Sequence, residues 1–365
     1  MKKNITSLEL YALDNELQIL DNAKVTQIYH PENEEVIFQF HARGKGKTLL
    51  RIFPGKFLNI TQTRESTLRP SGFCMQLRKY LSGSIVRKVY QKDSERIFII
   101  NFENKIGDKF VKYNIVIEFI NKGTLILTDD KWNVITSMSY HEWDVRSIKT
   151  REIYTFPTPR FDWKNTDFKE LKKLIQSSDM KNLATCLATE VSFGGLYAEE
   201  LCKEVKLDPK MLPTDLKDSD IKKIVEGIGV FKEKVLTPNG FVYEKHVTPF
   251  ELIGESILEK FENYSDGLNT LNPLQKTSPY EKKIISSKAV VDQQEKAILD
   301  LKNKIELNTI KGELVYGKYS SLQKLLEIVQ SLKKTKTWVE LGEELKKEKK
   351  IKSVDLKNKK IVIDL

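Results

Sequence analysis

The segment VTQIYHPENEEVIFQFHARGKGKTLLRIFPGKFLNIT, residues 25–61, decides the fold class. It contains four short runs that are rich in β-branched and aromatic residues, and turn-forming segments separate them. Connections this short can join only antiparallel strands. The segment therefore predicts an antiparallel sheet, with strands at Val25–Tyr29, Val36–His41, Thr48–Phe53 and Phe57–Thr61.

One piece of this segment, Gly44-Lys45-Gly46-Lys47-Thr48, suggests a phosphate-binding P-loop, because glycine amides and a lysine can hold a triphosphate. A P-loop would need a glycine at position 41, which is His41, and a helix where residues 49–53 are strand-like. We therefore interpret the piece as a hairpin turn.

Two helices are predicted around these strands. Thr6 and Glu9 have the spacing of a capping box, and leucines then recur at helical intervals to about Leu20. Residues 72–81 form an amphipathic pattern that predicts a second helix. We expect its apolar residues to be partly buried and its basic pair to project: Phe73, Met75, Leu77 and Leu81, then Arg78 and Lys79.

Further strand-like runs complete the first domain, which we expect to be an α+β domain spanning residues 1–160. They are Ile85–Tyr90, Arg96–Phe102, Tyr113–Ile120, Thr124–Thr128 and Trp132–Met138.

A helical period follows, and it predicts an all-α domain over residues 168–265. Gly194 and Gly195 separate two short helical patterns, as in a helix-hairpin-helix, whose glycine turn lets backbone amides approach a phosphate. A packed glycine turn between helices has the same pattern. Glu199 and Glu200, directly after the turn, argue against a tight phosphate contact.

The last region, residues 279–365, carries a heptad pattern. Ile284, Val291, Ile298 and Ile305 recur at spacing seven, which predicts a coiled-coil seam that packs against another helix. Apolar runs at Ile351–Leu356 and Ile361–Leu365 predict a closing pair of strands.

Most of the excess positive charge falls between residues 45 and 96. This stretch has twelve basic and three acidic residues, a balance of +9, whereas the whole 365-residue chain has a net charge of +10. Concentrated charge of one sign attracts a polyanion and gains affinity by releasing its counterions, which predicts nucleic-acid binding. The basic residues are Lys45, Lys47, Arg51, Lys56, Arg64, Arg69, Arg78, Lys79, Arg87, Lys88, Lys92 and Arg96.

Several other classes of protein are disfavoured. Cys74, Cys186 and Cys202 form no C-x-x-C pair and the histidines are scattered, so we expect no metal and no cofactor. No apolar run approaches the roughly 18 residues of a membrane span, and the N-terminus lacks a signal-peptide core. We expect a cytoplasmic protein without a membrane partner. No nucleophile, base and orienting group assemble, so we expect no catalytic residues.

Four motifs together give a more specific indication. They resemble, in order and spacing, motifs of the NFACT family of ribosome-associated quality-control factors, called RqcH in prokaryotes and NEMF in animals. The last motif is most similar to archaeal members. The motifs are Thr6-Ser7-Leu8-Glu9, Leu77-Arg78-Lys79-Tyr80-Leu81-Ser82-Gly83, Gln91-Lys92-Asp93-Ser94-Glu95-Arg96-Ile97 and Phe193-Gly194-Gly195-Leu196-Tyr197-Ala198-Glu199-Glu200.

The resemblance implies an NFACT-N domain, a helix-hairpin-helix domain, and a coiled-coil first arm with the middle region. Because the family normally continues with a returning arm and an NFACT-R domain, we expect this chain to be truncated or unusually short. Such proteins bind large ribosomal subunits obstructed by peptidyl-tRNA and recruit tRNA, alanyl-tRNA in prokaryotes, for tailing without mRNA. The ribosome performs the peptide transfer, so the factor itself is not an enzyme.

The implied tRNA contacts are Glu9, Arg78, Lys79, Glu95 and Arg96, with Lys45, Lys47, Arg51, Arg64, Arg69, Arg87 and Lys88 as additional basic surface. The family usually has aspartate at the positions of Glu9 and Glu95, so the charge is kept while the side chain is one methylene longer. For Glu9 a capping role and a recognition role both remain open. Arg96 has the alternative of an ordinary solvent-facing strand residue.

Two rival interpretations belong to other classes. A basic α+β domain followed by a helix-hairpin-helix also resembles formamidopyrimidine-DNA glycosylases, but Lys2 replaces their N-terminal proline and the cysteine zinc finger is missing. An extracellular fibronectin-binding adhesin would need a secretion signal or an anchor. The nucleic acid that copurifies would discriminate the three interpretations. Copurifying tRNA and ribosomal RNA would support the quality-control factor, DNA would support the repair enzyme, and no nucleic acid would support the adhesin.

Overall fold

The computed structural model describes residues 4–31, 34–64, 70–142, 146–159, 161–271, 279–335, 351–355 and 360–363. The chain divides into two compact units, Met1–Leu274 and Gln275–Leu365. Arg69 and Glu65 of the basic stretch fall outside the described residues. The predicted domain boundary near residues 160–168 lies inside the first unit and stays a prediction.

A nine-stranded antiparallel sheet dominates the described part of the first unit. Its strands lie in the order β4-β3-β2-β1-β5-β6-β7-β8-β9. The α+β class and the N-terminal antiparallel sheet are therefore confirmed. The strands are β1 (Lys24–Tyr29), β2 (Val36–Ala42), β3 (Gly46–Phe53), β4 (Phe57–Thr61), β5 (Ile85–Gln91), β6 (Ile97–Ile106), β7 (Lys109–Glu118), β8 (Thr124–Asp129) and β9 (Val134–Ser137).

The glycine-rich piece between β2 and β3 is a hairpin turn, as predicted. Ala42 pairs with Gly46 across the turn, and Gly44 and Gly46 have φ values of +75° and +69°. Glycine adopts this left-handed region without the steric cost that other residues meet. The strand that follows excludes the P-loop.

Two helices pack on the sheet. Helix α1 (Ser7–Glu16) continues as a short 3-10 turn to Leu20, and helix α2 (Gly72–Leu81) has the predicted bounds. The burial expected for Met75 is wrong, because this side chain is 52% exposed. The inner face of α2 consists of Cys74, Leu77 and Leu81, which have the three- and four-residue spacing of one helical stripe.

The rest of the first unit is mainly helical and shares one hydrophobic core with the sheet. Three minor strands in it, β12–β14, form a separate sheet that the sequence pattern did not predict, because strands of two or three residues show no alternation. The elements are β10 (His141–Glu142), β11 (Ser147–Ile148), α3 (Phe168–Gln176), α4 (Leu183–Thr189), α5 (Gly194–Glu204), α6 (Asp218–Lys234), β12 (Gly240–Val242), β13 (Val247–Thr248), β14 (Glu259–Phe261) and α7 (Tyr264–Asn269).

The second unit begins with two long helices, α8 (Pro279–Gly317) and α9 (Tyr319–Thr335). Strands β15 (Ile351–Asp355) and β16 (Lys360–Ile363) pair antiparallel, so the closing strand pair is confirmed. Val291, Ile298 and Ile305 of the heptad seam are 49%, 53% and 65% exposed. The side chain of Ile284 lies outside the described residues, and pairing in a coiled coil stays a prediction.

None of the helices described in these ranges is both long and apolar enough to cross a membrane.

The backbones of Gly55 and Gly123 approach each other closely in the first unit. A Cβ atom on Gly123 would lie 1.9 Å from the Gly55 nitrogen, and both residues have positive φ. We expect Gly123→Ala to lower the free energy of unfolding by roughly 3 kcal/mol or more, since left-handed strain and a backbone clash add. Urea denaturation measures this.

Gly107→Ala is the matched control. Gly107 also has positive φ, but nothing lies within 4 Å of its added Cβ, so only the strain of about 1–2 kcal/mol applies. Equal losses in the two variants would contradict the role given to the close approach.

Candidate functional site

Four segments that are distant in sequence line a pocket of about 430 Å³ in the first unit. They are the start of helix α1, the hairpin turn between β5 and β6, Ile120 after β7, and the segment from the end of α4 to the start of α5. We call this the Arg96 pocket; its lining includes Thr6, Ser94, Glu95, Arg96, Ser192 and Gly194. Three of the four motifs that carried the family resemblance therefore meet here.

The capping box at the start of α1 is present, as predicted. The Thr6 hydroxyl accepts the amide N–H of Glu9 at 3.3 Å, and Glu9 Oε2 accepts the amide N–H of Thr6 at 2.8 Å. Glu9 is completely buried. Its second oxygen, Oε1, accepts the Tyr197 hydroxyl of α5 at 2.7 Å, so one carboxylate joins the two helices.

Burial raises the pKa of Tyr197 well above its usual value. The Tyr197 hydroxyl therefore keeps its proton at all ordinary pH values and serves as the donor to Glu9. A buried carboxylate needs such donors, because losing water without replacing its hydrogen bonds costs several kcal/mol.

Ser7, the second residue of the same motif, holds the β5–β6 turn. Its hydroxyl donates to the carbonyl of Ser94 and accepts from Trp163 Nε1 at 2.9 Å. Gln91 Nε2 donates to the Ser7 carbonyl at 3.0 Å and to the Glu95 carbonyl at 2.8 Å. These bonds fix the backbone at Ser94 and Glu95, directly before Arg96.

The backbone of Arg96 is fixed from the sheet as well. Its carbonyl accepts the amide of Phe119 at 2.8 Å, while the Lys92 amide donates to the carbonyl of Ile97 at 2.9 Å. Strand β6 begins one residue later, at Ile97. The side chain of Arg96 therefore extends from a fixed backbone at the wall of the pocket.

The two predicted turn glycines have different surroundings. Gly194 has a φ of +74°, and a Cβ there would lie 2.9 Å from Cγ2 of Thr6. Gly195 is exposed, with nothing within 4 Å of its added Cβ. Gly194 is required for close packing on α1, and the start of α5 has no side-chain cap, which leaves first-turn amides for an external acceptor.

Lys164 lies behind the β5–β6 turn. Its amide donates to the Ser94 hydroxyl at 3.2 Å, and its ammonium lies 4.3 Å from the ring centroid of Tyr11. Burial lowers the pKa of Lys164 to about 8, although Asp14, Asp162 and Asp93 oppose this shift.

Arg78 and Lys79 are not brought to the pocket. Strands β1 and β5 run antiparallel from their pair Lys24–Ile85, so the Tyr29 end and the Gln91 end point in opposite directions. The prediction that Arg78 projects is wrong: it is half-buried, and its Nε donates to the carbonyl of Ile28 at 2.8 Å, next to α2. Lys79 is exposed.

The remaining basic residues are divided among several places. Arg51 pairs with Glu35 at 2.9 Å and Arg87 with Glu103 at 2.6 Å, on strands that lie three positions apart in the sheet, roughly 14 Å. Charge that is clustered in sequence is thus spread and partly neutralised in space. Lys56 forms an ion pair with Glu34, and Lys92 forms one with Asp93. The charged group of Arg64 lies 4.2 Å from the ring centroid of Tyr29, and that of Lys88 lies 4.6 Å from the ring centroid of Tyr90. Lys45 and Lys47 line a separate pocket of about 530 Å³.

Sequence reasoning did not assign a role to Ser7, Gln91, Trp163 or Tyr197. Ser7, Gln91 and Tyr197 lie inside the quoted motifs, and this position was the signal available in the sequence. The hydrogen-bond partners that define the roles of the four residues lie 84 to 188 positions away along the chain. Across the described ranges, no group of three or more His, Cys, Asp or Glu side chains could hold a metal ion.

Tyr197→Phe should lower the free energy of unfolding by roughly 1.5–3 kcal/mol, because a buried carboxylate loses a donor. In a double-mutant cycle with Glu9→Gln, the two losses should not add. Tyr140→Phe is the control: Tyr140 is 54% exposed, and its loss should stay within about 0.5 kcal/mol. Similar losses for Tyr197→Phe and Tyr140→Phe would contradict the link.

Lys164 predicts a specific pH dependence. Because its pKa is lower in the folded state, the folded protein binds fewer protons than the unfolded chain between about pH 8 and the ordinary 10.5. The stability of the native protein relative to Lys164→Met should therefore rise across this window, by on the order of 1–2 kcal/mol after solvent screening. Denaturation at several pH values, with exposed Lys169→Met as control, tests it; a flat difference would contradict the burial of Lys164.

Comparisons with known proteins identify the family of the chain. Residues 6–363 match the family model described as NFACT N-terminal and middle domains. The chain is 27% identical over 379 positions to the archaeal Rqc2 homolog aRqcH of Methanocaldococcus jannaschii, covering 96% of this chain and 55% of the relative. It is 22% identical over 389 positions to human ribosome quality control complex subunit NEMF, covering 94% and 35%. The chain thus spans about half the length of the archaeal relative and a third of the human one.

A solved structure has a similar fold. The N-terminal part of the fibronectin/fibrinogen-binding protein from Streptococcus suis superposes with a TM-score of 0.61 and 18% identity, covering 73% of this chain and 98% of that one. At this identity the likeness concerns the fold alone. The match of the family model over nearly the whole chain is the stronger finding, and by it the chain belongs to the family of NFACT N-terminal and middle domains.

Proposed function

We propose that this chain acts in ribosome-associated quality control, where it binds tRNA through the Arg96 pocket on a large ribosomal subunit obstructed by peptidyl-tRNA. The observation that carries the proposal is the meeting of three family motifs at one pocket: Thr6–Glu9, Gln91–Ile97 and Phe193–Glu200. The names of the relatives, ribosome quality control subunits and Rqc2 homologs, support the same process.

Within this proposal Arg96 is the principal tRNA contact. A guanidinium presents five donors in a planar fork, which suits a phosphate or the edge of a guanine. Glu95 lines the same pocket and can accept a hydrogen bond from an exocyclic amino group of a base. The pair therefore combines a contact that positions the RNA with one that reads it.

Glu9 acts indirectly in this proposal. Because its carboxylate is buried and bonded to both Thr6 and Tyr197, it holds the α1 start against α5 and so shapes the pocket. A longer glutamate at this position still reaches both partners. Its effect on tRNA would follow from the position of Arg96 and of the α4–α5 turn.

The other parts have proposed roles as well. Helices α4 and α5 act as a helix-hairpin-helix that offers the exposed amides around Gly195 to an RNA phosphate, and α8 acts as the first arm of a coiled coil. The tRNA is alanyl-tRNA, by resemblance to prokaryotic members, and the setting is the cytoplasm. Peptide transfer belongs to the ribosome, so the chain is an RNA-binding factor and not an enzyme.

Arg96→Ala should weaken tRNA binding by roughly 1–3 kcal/mol, and Arg96→Lys should restore only part of it, because an ammonium cannot make the bidentate contact. Fluorescence anisotropy with labelled tRNA measures the affinity, and sedimentation with obstructed large subunits measures ribosome binding. Sequencing of crosslinked RNA identifies the tRNA.

Arg43→Ala is the matched control, since Arg43 is an exposed arginine outside the pocket. Equal losses for Arg96→Ala and Arg43→Ala would mean that binding is a general charge effect. Unchanged affinity for Arg96→Ala would remove the pocket from the proposal.

A further inference from the structure

The tip of the β6–β7 hairpin projects beyond the sheet. Strand β5 pairs with β6 only as far as Glu103, and β8 pairs with β7 only as far as Tyr113. Residues 104–112 therefore have ladder partners only within their own hairpin. We call these residues the projecting hairpin.

This hairpin exposes large apolar side chains at a place where no core requires them. Phe110 is 65% exposed and Ile106 is 54% exposed. An exposed two-stranded hairpin gains little stability from such residues, since both side chains remain more than half exposed. Alternation along the strands places Phe110 and Ile106 on opposite faces, so Phe110 is the apolar side chain of its face of the tip.

The residues around Phe110 are basic. Lys105 lies directly opposite Phe110 across the ladder, and Lys112 follows two residues later on the same strand. Cross-strand partners and i, i+2 neighbours share one face of a sheet, at spacings of about 5 and 7 Å. Phe110 therefore shares one face with two lysines, Lys105 across the ladder and Lys112 along its own strand.

The positive charge of the projecting hairpin is not neutralised locally. Lys105, Lys109 and Lys112 are exposed, and within the described residues none of them lies in an ion pair. Glu103, which faces Lys112 across the ladder, pairs instead with Arg87 at 2.6 Å. Asp108 is the acidic residue of the tip, so three lysines outnumber it.

The root of the hairpin is held rigidly. Asn104 Nδ2 donates to the carbonyl of Tyr80 in α2 at 3.0 Å, and the rings of Tyr80 and Tyr113 pack edge to face with centroids 5.4 Å apart. The hairpin that carries Phe110 is therefore anchored to α2 at its root and presented in a defined orientation.

We propose that the projecting hairpin binds an unpaired segment of RNA, with Phe110 stacked on a base and Lys105 and Lys112 on the flanking phosphates. An exposed aromatic ring beside cations suits a single strand, because every base has a π-face and each phosphate a charge. A membrane surface or an apolar protein groove fits less well, since the aromatic face is narrow and flanked by charge.

This site is separate from the Arg96 pocket and goes beyond the function proposed for it. Strand β6 begins beside Arg96 and ends at Ile106, so the two sites lie at opposite ends of a ten-residue strand, roughly 30 Å apart. An RNA held at both sites would have to span this distance.

The test compares binding of a short labelled oligouridylate with binding of an RNA duplex of equal length. Phe110→Ala should weaken oligouridylate binding about tenfold and leave duplex binding unchanged, whereas Phe110→Trp should retain both. Lys105→Glu with Lys112→Glu should reduce the log–log salt slope by roughly 1.4, the value for two single-strand phosphate contacts. Crosslinking of 4-thiouridine should map to residues 104–112.

The matched control is Lys169→Glu with Lys173→Glu. Both lysines are exposed residues of α3, and the double substitution changes the charge by the same amount at another place. Unchanged oligouridylate affinity for Phe110→Ala, crosslinks outside the hairpin, or an equal effect of the control would overturn the proposal. The proposal would also be overturned if the hairpin variants lost binding to phosphatidylserine vesicles while their binding to RNA was unaffected. Because Arg96→Ala is measured in the same series with tRNA, failure at the hairpin is distinguishable from failure at the Arg96 pocket.

Discussion

The first unit depends on one buried carboxylate. Glu9 is completely enclosed, and its two oxygens bind the Thr6 amide at the start of α1 and the Tyr197 hydroxyl of α5. An enclosed carboxylate is stable only while its donors are in place, and hydrogen bonds in a low-dielectric interior reinforce one another. The carboxylate therefore joins the two helices inside the hydrophobic core that they share.

The consequences extend to the candidate tRNA contacts. Ser7, two residues before Glu9, holds the Ser94 carbonyl, and Gln91 closes the other side of the same turn. The start of α1 thus connects the β5–β6 turn to the α4–α5 turn. Arg96 lies at the wall between them, on a backbone that the sheet and this network keep fixed.

The local features were predictable from the sequence and the distant ones were not. The capping box, the β2–β3 hairpin and the bounds of α2 depend on residues that are near in sequence, so the pattern contained them. The Glu9–Tyr197 contact joins residues 188 positions apart, and no periodicity encodes it. The family motifs indicated that the segments matter; only their packing explains how they act together.

The basic stretch also shows that residues near in sequence need not be near in space. Its charge is contiguous in sequence, yet strand order separates Arg51 from Arg87, and Arg78 turns inward to a backbone carbonyl. Conversely, Lys105, Lys109 and Lys112 lie outside the stretch but share one hairpin. A nucleic-acid partner, inferred from charge counted along the chain, stays a prediction, whereas the fold determines which residues form each surface.

The most direct test of the connection is amide hydrogen exchange in Gly194→Ala and Gly195→Ala. The added Cβ of Gly194→Ala meets Thr6, whereas that of Gly195→Ala meets nothing within 4 Å. If the start of α1 couples the two turns, exchange at the Lys92 and Glu95 amides should become faster in Gly194→Ala only. Unchanged exchange at these amides, in a folded Gly194→Ala protein, would contradict the coupling.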